Sequence, residues 1–309
     1  MISCFSSLSI PLIASGGRST NFELFIYETI FIQNDWNSAI VLALIQALVL
    51  LCLGFFSNLM RSTTMATPIN EFKLKSPLSL GFVAIYLLVY FGVFIFKTIP
   101  ALFLVNWSSF QYFTFIFALS NSLQLFISLA VLFSVFTVAM VFLSYQRNAV
   151  GFFRLFLTPS SVIVGFAYYL YFSVGSHTID LVKMVLGLFV ISSFGLFFNF
   201  MSPQLEQLRN QMMIANVFNI KFNIFLKNIL WPQIKQPYLI CISILLLISL
   251  TDFAVVKAVG SQTETLGTFI FSYVSSYRLE WSFVFCFFTL VFWVVFLKLS
   301  ELVVESGDQ

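Results

Sequence analysis

The sequence predicts an all-α integral membrane protein, a polytopic helical bundle of about seven transmembrane helices. Three observations predict it. The 309 residues are 60% hydrophobic and only 9% charged. The mean hydropathy is +0.99. Several runs of about 20 residues carry almost no charge, the length that crosses a hydrocarbon core of about 30 Å.

Seven spans follow, at 38–60, 79–103, 119–145, 156–173, 181–201, 238–256 and 281–300, and residues 1–14 read as the tail of another. The N-terminus MISCFSSLSIPLIASGG has no basic n-region, so it is not read as a signal peptide. Sorting the loops by Lys and Arg gives orientation. One set holds Arg61, Lys73, Lys75, Arg147, Arg154, Arg209, Lys221, Lys227, Lys235 and Lys298; the other holds Arg18, Lys97, Lys183, Lys257 and Arg278. The first set is the richer, ten against five, and is expected to be cytoplasmic. Segment 202–237 and the C-terminus then face the cytoplasm, and loops 16–37 and 257–280 face outward.

Composition also narrows the chemistry. His177 is the only histidine, which argues against His-based metal sites and Ser-His-Asp triads. Cys4, Cys52, Cys241 and Cys286 stand singly in apolar segments and read as small buried side chains. No GxxxxGK[ST] loop occurs, so no P-loop binds ATP here. No cofactor, metal or nucleic acid is expected in this chain. Membrane-embedded transferases generally need clusters of His, Asp or Glu at the membrane face. Here Asp252 alone stands within a span, which makes an enzyme the weaker reading.

Segment 202–237 is unlike its surroundings. Leu205, Leu208, Met212, Ala215, Phe218, Phe222, Phe225 and Ile229 recur at alternating spacings of three and four, one face of a helix. Arg209, Asn210, Asn223, Lys227 and Asn228 lie off that stripe. Asn219 adopts a left-handed turn cheaply, so two short helices with a break there are predicted, and Pro232 is expected to end the second. One reading is a helix lying at the lipid headgroups. The other is a docking helix for a cytoplasmic partner.

The two ends of the chain resemble each other. SLSIPLIASGG (Ser7–Gly17) lines up with SLTDFAVVKAVG (Ser249–Gly260), NFELFIY (Asn21–Tyr27) with TLGTFIF (Thr265–Phe271), and Trp36 with Trp281. This self-similarity implies a duplicated unit, an architecture common in transporters. The division is residues 1–74, the end of a first repeat, and 75–309, a complete six-span repeat with the loop 202–237. In the first part, loop 16–37 precedes span 38–60 and a cytoplasmic linker at 61–78. The expectation is that most of a first unit is missing, supplied by another chain, or lost.

These residues carry a resemblance. Family members have a cytoplasmic loop reading E-A-A-x-x-x-G, nine residues, then I-x-L-P. Here it falls on Met213, Ile214, Ala215, Asn219, Ile229, Trp231 and Pro232. Ala215, Ile229 and Pro232 match, and the spacing is intact. The chain resembles the permease subunit of binding-protein-dependent ABC importers of the type I kind, in the branch handling thiamine, ferric iron and polyamines. GSQTETLGTFIFSYVSSYR (Gly260–Arg278) and GGRSTNFELFIYETI (Gly16–Ile30) look most like outward loops of the thiamine permease. ALSNSLQLFISLAV (Ala118–Val131) and LTPSSVIVGFAYYLYF (Leu157–Phe172) look like the second and third spans of a unit.

The resemblance implies a multi-pass protein of the bacterial inner membrane. Its partners would be a cytoplasmic ATPase dimer that binds ATP and Mg, a periplasmic solute-binding protein, and a second permease unit or second copy. The coupling loop would insert into a cleft on the ATPase; the absent glutamate at Met213 weakens that expectation. The implied solute is thiamine or a thiamine phosphate, with ferric iron or a polyamine as alternatives, and a non-functional remnant as another. Asp252 is a candidate for the outward mouth of the pathway, or else a span-end cap. Tyr168, Tyr169 and Tyr171 are candidates for stacking a heteroaromatic ring, or else an interfacial aromatic belt. Glu264, Arg278 and Glu280 are candidate contacts for the binding protein, or solvated charges.

Overall fold

The computed structural model describes residues 94–105, 107–147, 177–218, 220–253, 255–256 and 263–306, with scattered positions between 25 and 52 and residues 89 and 92. Among the described residues the regular structure is entirely helical. After a short turn at Trp107–Ser109 come α1 (Tyr112–Arg147) and α2 (His177–Leu196). A π turn at Phe197–Met201 leads into α3 (Ser202–Gln207), then α4 (Arg209–Val217) and α5 (Phe222–Phe225). A second π turn at Leu226–Leu230 joins α5 to α6 (Trp231–Thr251), followed by α7 (Leu266–Ser275) and α8 (Leu279–Ser306).

Four stretches are long and apolar enough to cross a membrane: Tyr112–Tyr145, Thr178–Leu205, Phe222–Thr251 and Leu279–Ser300. They overlap the expected spans 119–145, 181–201, 238–256 and 281–300. Spans 38–60 and 79–103 are represented only in part, by the shorter apolar helices Asn37–Gln46 and Phe94–Leu104. Span 156–173, with Tyr168, Tyr169 and Tyr171, and residues 1–14 lie outside the described residues.

Two expectations are corrected here. The span expected at 238–256 ends earlier, at Thr251, because Asp252 turns extended (φ −72°, ψ 119°). Pro232 does not end a helix. It occupies the first turn of α6, where a missing N–H is tolerated, directly after the π turn.

Several hydroxyls of the apolar helices are satisfied within the helix, although those of Thr137, Ser193 and Ser282 are buried without a partner. Ser134, Ser144, Ser192 and Thr289 each donate to the carbonyl four residues back, at 2.6 to 2.8 Å. Helix α6 is central and packs against α1, α7 and α8. Trp293 Nε1–H on α8 donates to the Ser243 carbonyl at 2.9 Å, and the Ser134 and Tyr238 hydroxyls meet at 2.6 Å.

Long-range contacts sort the bundle into two ends. At one, Asn121 Nδ2 donates to the Glu264 carbonyl and Ser122 Oγ accepts from the Leu266 N–H, both at 2.8 Å. At the other, the Tyr145 hydroxyl donates to the Ile220 carbonyl at 3.0 Å. Asn121 and Tyr145 are separated along α1 by about 36 Å, at ~1.5 Å per residue, which suits a hydrocarbon core of about 30 Å.

Candidate partner-docking site

The segment 202–237 forms one end of the bundle. Leu205, Leu208, Met212 and Ala215 are buried, and they share a core with Phe225, Leu230 and Ile234. Phe222 and Ile229 pack against that core. Phe218, expected on the same stripe, is 73% exposed. The reason is local: α4 ends at Val217 and Phe218 is its C-cap, so helical spacing no longer sets its direction. Asn210, Asn223, Lys227 and Asn228 are exposed, off the stripe.

The break between α4 and α5 is held from both sides. The Ile220 N–H donates to the Ala215 carbonyl at 2.9 Å. The Tyr145 ring packs against Phe222 and Phe225, with centroids 5.7 and 5.4 Å away. Asn219 itself lies outside the described residues.

Folding α4 back on the start of α6 leaves an open cleft of about 470 Å³. Ile214, Ala215, Ile220, Ile229 and Pro232 line it, and Gln233 Nε2 donates to Gln211 Oε1 across it at 3.3 Å. Four residues singled out by the loop motif, Ile214, Ala215, Ile229 and Pro232, therefore converge on one concavity although 17 residues separate Ala215 from Pro232. Met213 and Trp231 are not in its lining, but both are exposed, as are Val217 and Ile224. The exposed Lys221 and Lys227 stand on the same segment. The arrangement offers apolar side chains and amide hydrogen bonds within a basic segment, and it can hold a protein element.

The opposite end holds Asp252, Glu264, Arg278 and Glu280. Asp252 is half-buried, and its Oδ1 accepts the Val255 N–H at 3.0 Å, so the carboxylate caps the turn after α6. Glu264, Arg278 and Glu280 are exposed. The backbone of Glu264 is the group held by Asn121, and the Arg278 N–H donates to the Tyr273 carbonyl at 2.9 Å. The loop expected over 257–280 contains α7. A reciprocal Thr265–Thr268 capping box starts it. Its end is a Schellman motif with Tyr277 at φ 58°, the left-handed position usually held by glycine. Burial raises the Tyr273 hydroxyl pKa, and the nearby Arg278 charge opposes that rise.

Two features were missed in the sequence. Asn121 and Ser122 are buried and clamp the start of α7; the polar run SNS in an apolar span was their signal. Lys183, assigned to an outward loop, lies in α2 with Asp180. Both are buried, and Nζ stands 3.2 Å from Oδ1. Of the cysteines expected to be buried, Cys241 is, whereas Cys52 and Cys286 are exposed, since an apolar flank of a span need not face protein. Among the described residues no group of three or more His, Cys, Asp or Glu side chains is placed to hold a metal ion. Neither a protein-family model nor a curated protein matches the chain.

Proposed function

We propose that the chain is a membrane-spanning permease subunit of an ABC importer, with segment 202–237 as the surface that receives a separate ATPase. The observation that carries the reading is the convergence of Ile214, Ala215, Ile229 and Pro232 on one open cleft. A loop that only lies on headgroups has no need of a concavity with amide groups on its rim. An ATPase contact does: the segment would insert into the ATPase with Ile214 exposed, the concavity would receive an element of the partner in return, and movement would pass to α6.

In this reading the protein lies in a bacterial inner membrane with segment 202–237 and the C-terminus in the cytoplasm. The α7 end faces a periplasmic binding protein, and a second permease unit or copy completes the pathway. The solute is a small molecule, with thiamine or a thiamine phosphate favoured by the likeness of Gly260–Arg278 to that permease. ATP is hydrolysed by the partner.

Affinity purification of the tagged chain from detergent-solubilised membranes tests this. An ATPase is expected to copurify and to be lost with Ile214→Glu, a change at a side chain 56% exposed that leaves the core intact. A monodisperse preparation that retains no ATPase would overturn the reading.

A further inference from the structure

A second cavity, of about 530 Å³, lies toward the α7 end of the bundle. This is within the range of about 300–1,000 Å³ common for small-molecule sites. Leu119 and Leu123 of α1, Leu250 of α6 and Leu266 of α7 form its interior, and α8 supplies the outer flank. At one end of it Trp107 and Phe110 join Trp281 in an aromatic cluster. Phe110 stacks on Trp281 with centroids 5.1 Å apart, and Trp107 meets Trp281 edge-on at 5.4 Å.

The chemistry of the wall restricts the occupant. Apart from Trp107, Thr289 brings the only polar side chain to the lining, and its hydroxyl already donates to the Phe285 carbonyl at 2.8 Å. A charged solute would lose its hydration here without replacement, so this is not a stop on a path for thiamine or a metal ion. Phe288, Phe292 and Val295 are 45 to 50% exposed and continue into the outer face of α8, the least buried of the four spans. A hydrocarbon chain from the bilayer therefore reaches the interior without crossing a polar group. A neighbouring helix, about 10 Å across, would ride on that flank and leave Leu119 and Leu123 uncovered. At the aromatic end Trp107 lines the cavity, and the 56% exposed Tyr112 packs edge-on against Phe110 with centroids 4.5 Å apart, amphipathic rings suited to the headgroup level.

We propose that this cavity is a binding site for one acyl chain of a membrane phospholipid, its headgroup held at the level of Trp107 and Tyr112. The site is separate from the docking cleft, and its test does not depend on an ATPase. The full chain in nanodiscs would be exposed to phosphatidylethanolamine carrying a diazirine on one acyl chain, irradiated, and mapped by peptide mass spectrometry. Labelling is expected to concentrate on 115–123 and 285–295. Leu123→Trp, which fills the interior, and Val295→Trp, on the exposed α8 flank, should each lower it about tenfold, as losing about two buried methylenes would. Labelling of the outward face of α1 around Val131 and Val135 should not change. Even labelling of all exposed apolar faces, labelling indifferent to both variants, or cross-links to a second copy at this flank would overturn the proposal.

Discussion

Gly267 lies so close to Asp252 that a Cβ built on it would stand 2.7 Å from the Asp252 carbonyl oxygen and 2.8 Å from that of Thr251. The first turn of α7 is thus pressed against the end of α6, beneath the capping carboxylate of Asp252. Backbone atoms are the obstacle, and they cannot swing aside as a side chain would. Gly267→Ala should destabilise the fold by about 1–3 kcal/mol, the usual cost of overpacking. Gly92, with nothing within 4 Å of its virtual Cβ, is the control. There alanine should be neutral or stabilising by up to about 1 kcal/mol. Thermal unfolding in detergent would compare the two.

The Asp180–Lys183 pair makes a second prediction. Lys183→Met leaves a buried carboxylate without its ion-pair partner and should cost roughly 3–5 kcal/mol. The double change Asp180→Leu with Lys183→Met should cost less than either single change, because two apolar groups need no compensation. Additive losses in a double-mutant cycle would contradict this account.

Tyr277 holds a left-handed conformation at φ 58° while its side chain is 89% exposed. Glycine there should stabilise the α7–α8 junction by about 1 kcal/mol, whereas Val, branched at Cβ, should weaken it. Protease resistance of the segment would report both.

Asp35 gives a pH dependence. Its carboxyl is held below the ordinary value of 3.8, first by the Ser38 hydroxyl at 2.6 Å and then by the Ser38 N–H at 3.2 Å. A depressed folded value means that the contribution to stability is present above the ordinary value and is lost as pH falls through the lower folded one. Ser38→Ala should move the Asp35 titration upward, as followed by carboxyl NMR. An unmoved titration would assign the effect elsewhere.

Four of the expected spans were legible because hydrocarbon demands length and apolarity at once, and Tyr112–Tyr145 and Leu279–Ser300 announce both. The limits of α6 were not. Hydropathy drops before Tyr238, yet the helix continues back through Pro232, since a first-turn proline after a π turn breaks nothing. At the cleft of segment 202–237, three- and four-residue spacing revealed the buried face of α4. It could not reveal that Phe218 leaves that face, nor that Tyr145 fastens Ile220 from 75 residues away. The clamp from Asn121 to Glu264 spans 143 residues, a distance over which periodicity carries no information.

The π turns at Phe197–Met201 and Leu226–Leu230 bear on how the chain tolerates changes in length. Each wide turn holds about one residue more than an α turn needs. Removing one residue from Leu226–Leu230 would tighten the turn to ordinary α geometry and leave α5 and α6 facing as before. The same single-residue deletion inside α1 would rotate everything beyond it by about 100°, turning its packed face toward lipid. Deletion scanning across the described helices 177–251 should therefore find tolerance at these two turns and intolerance in the regular α-helical stretches beside them.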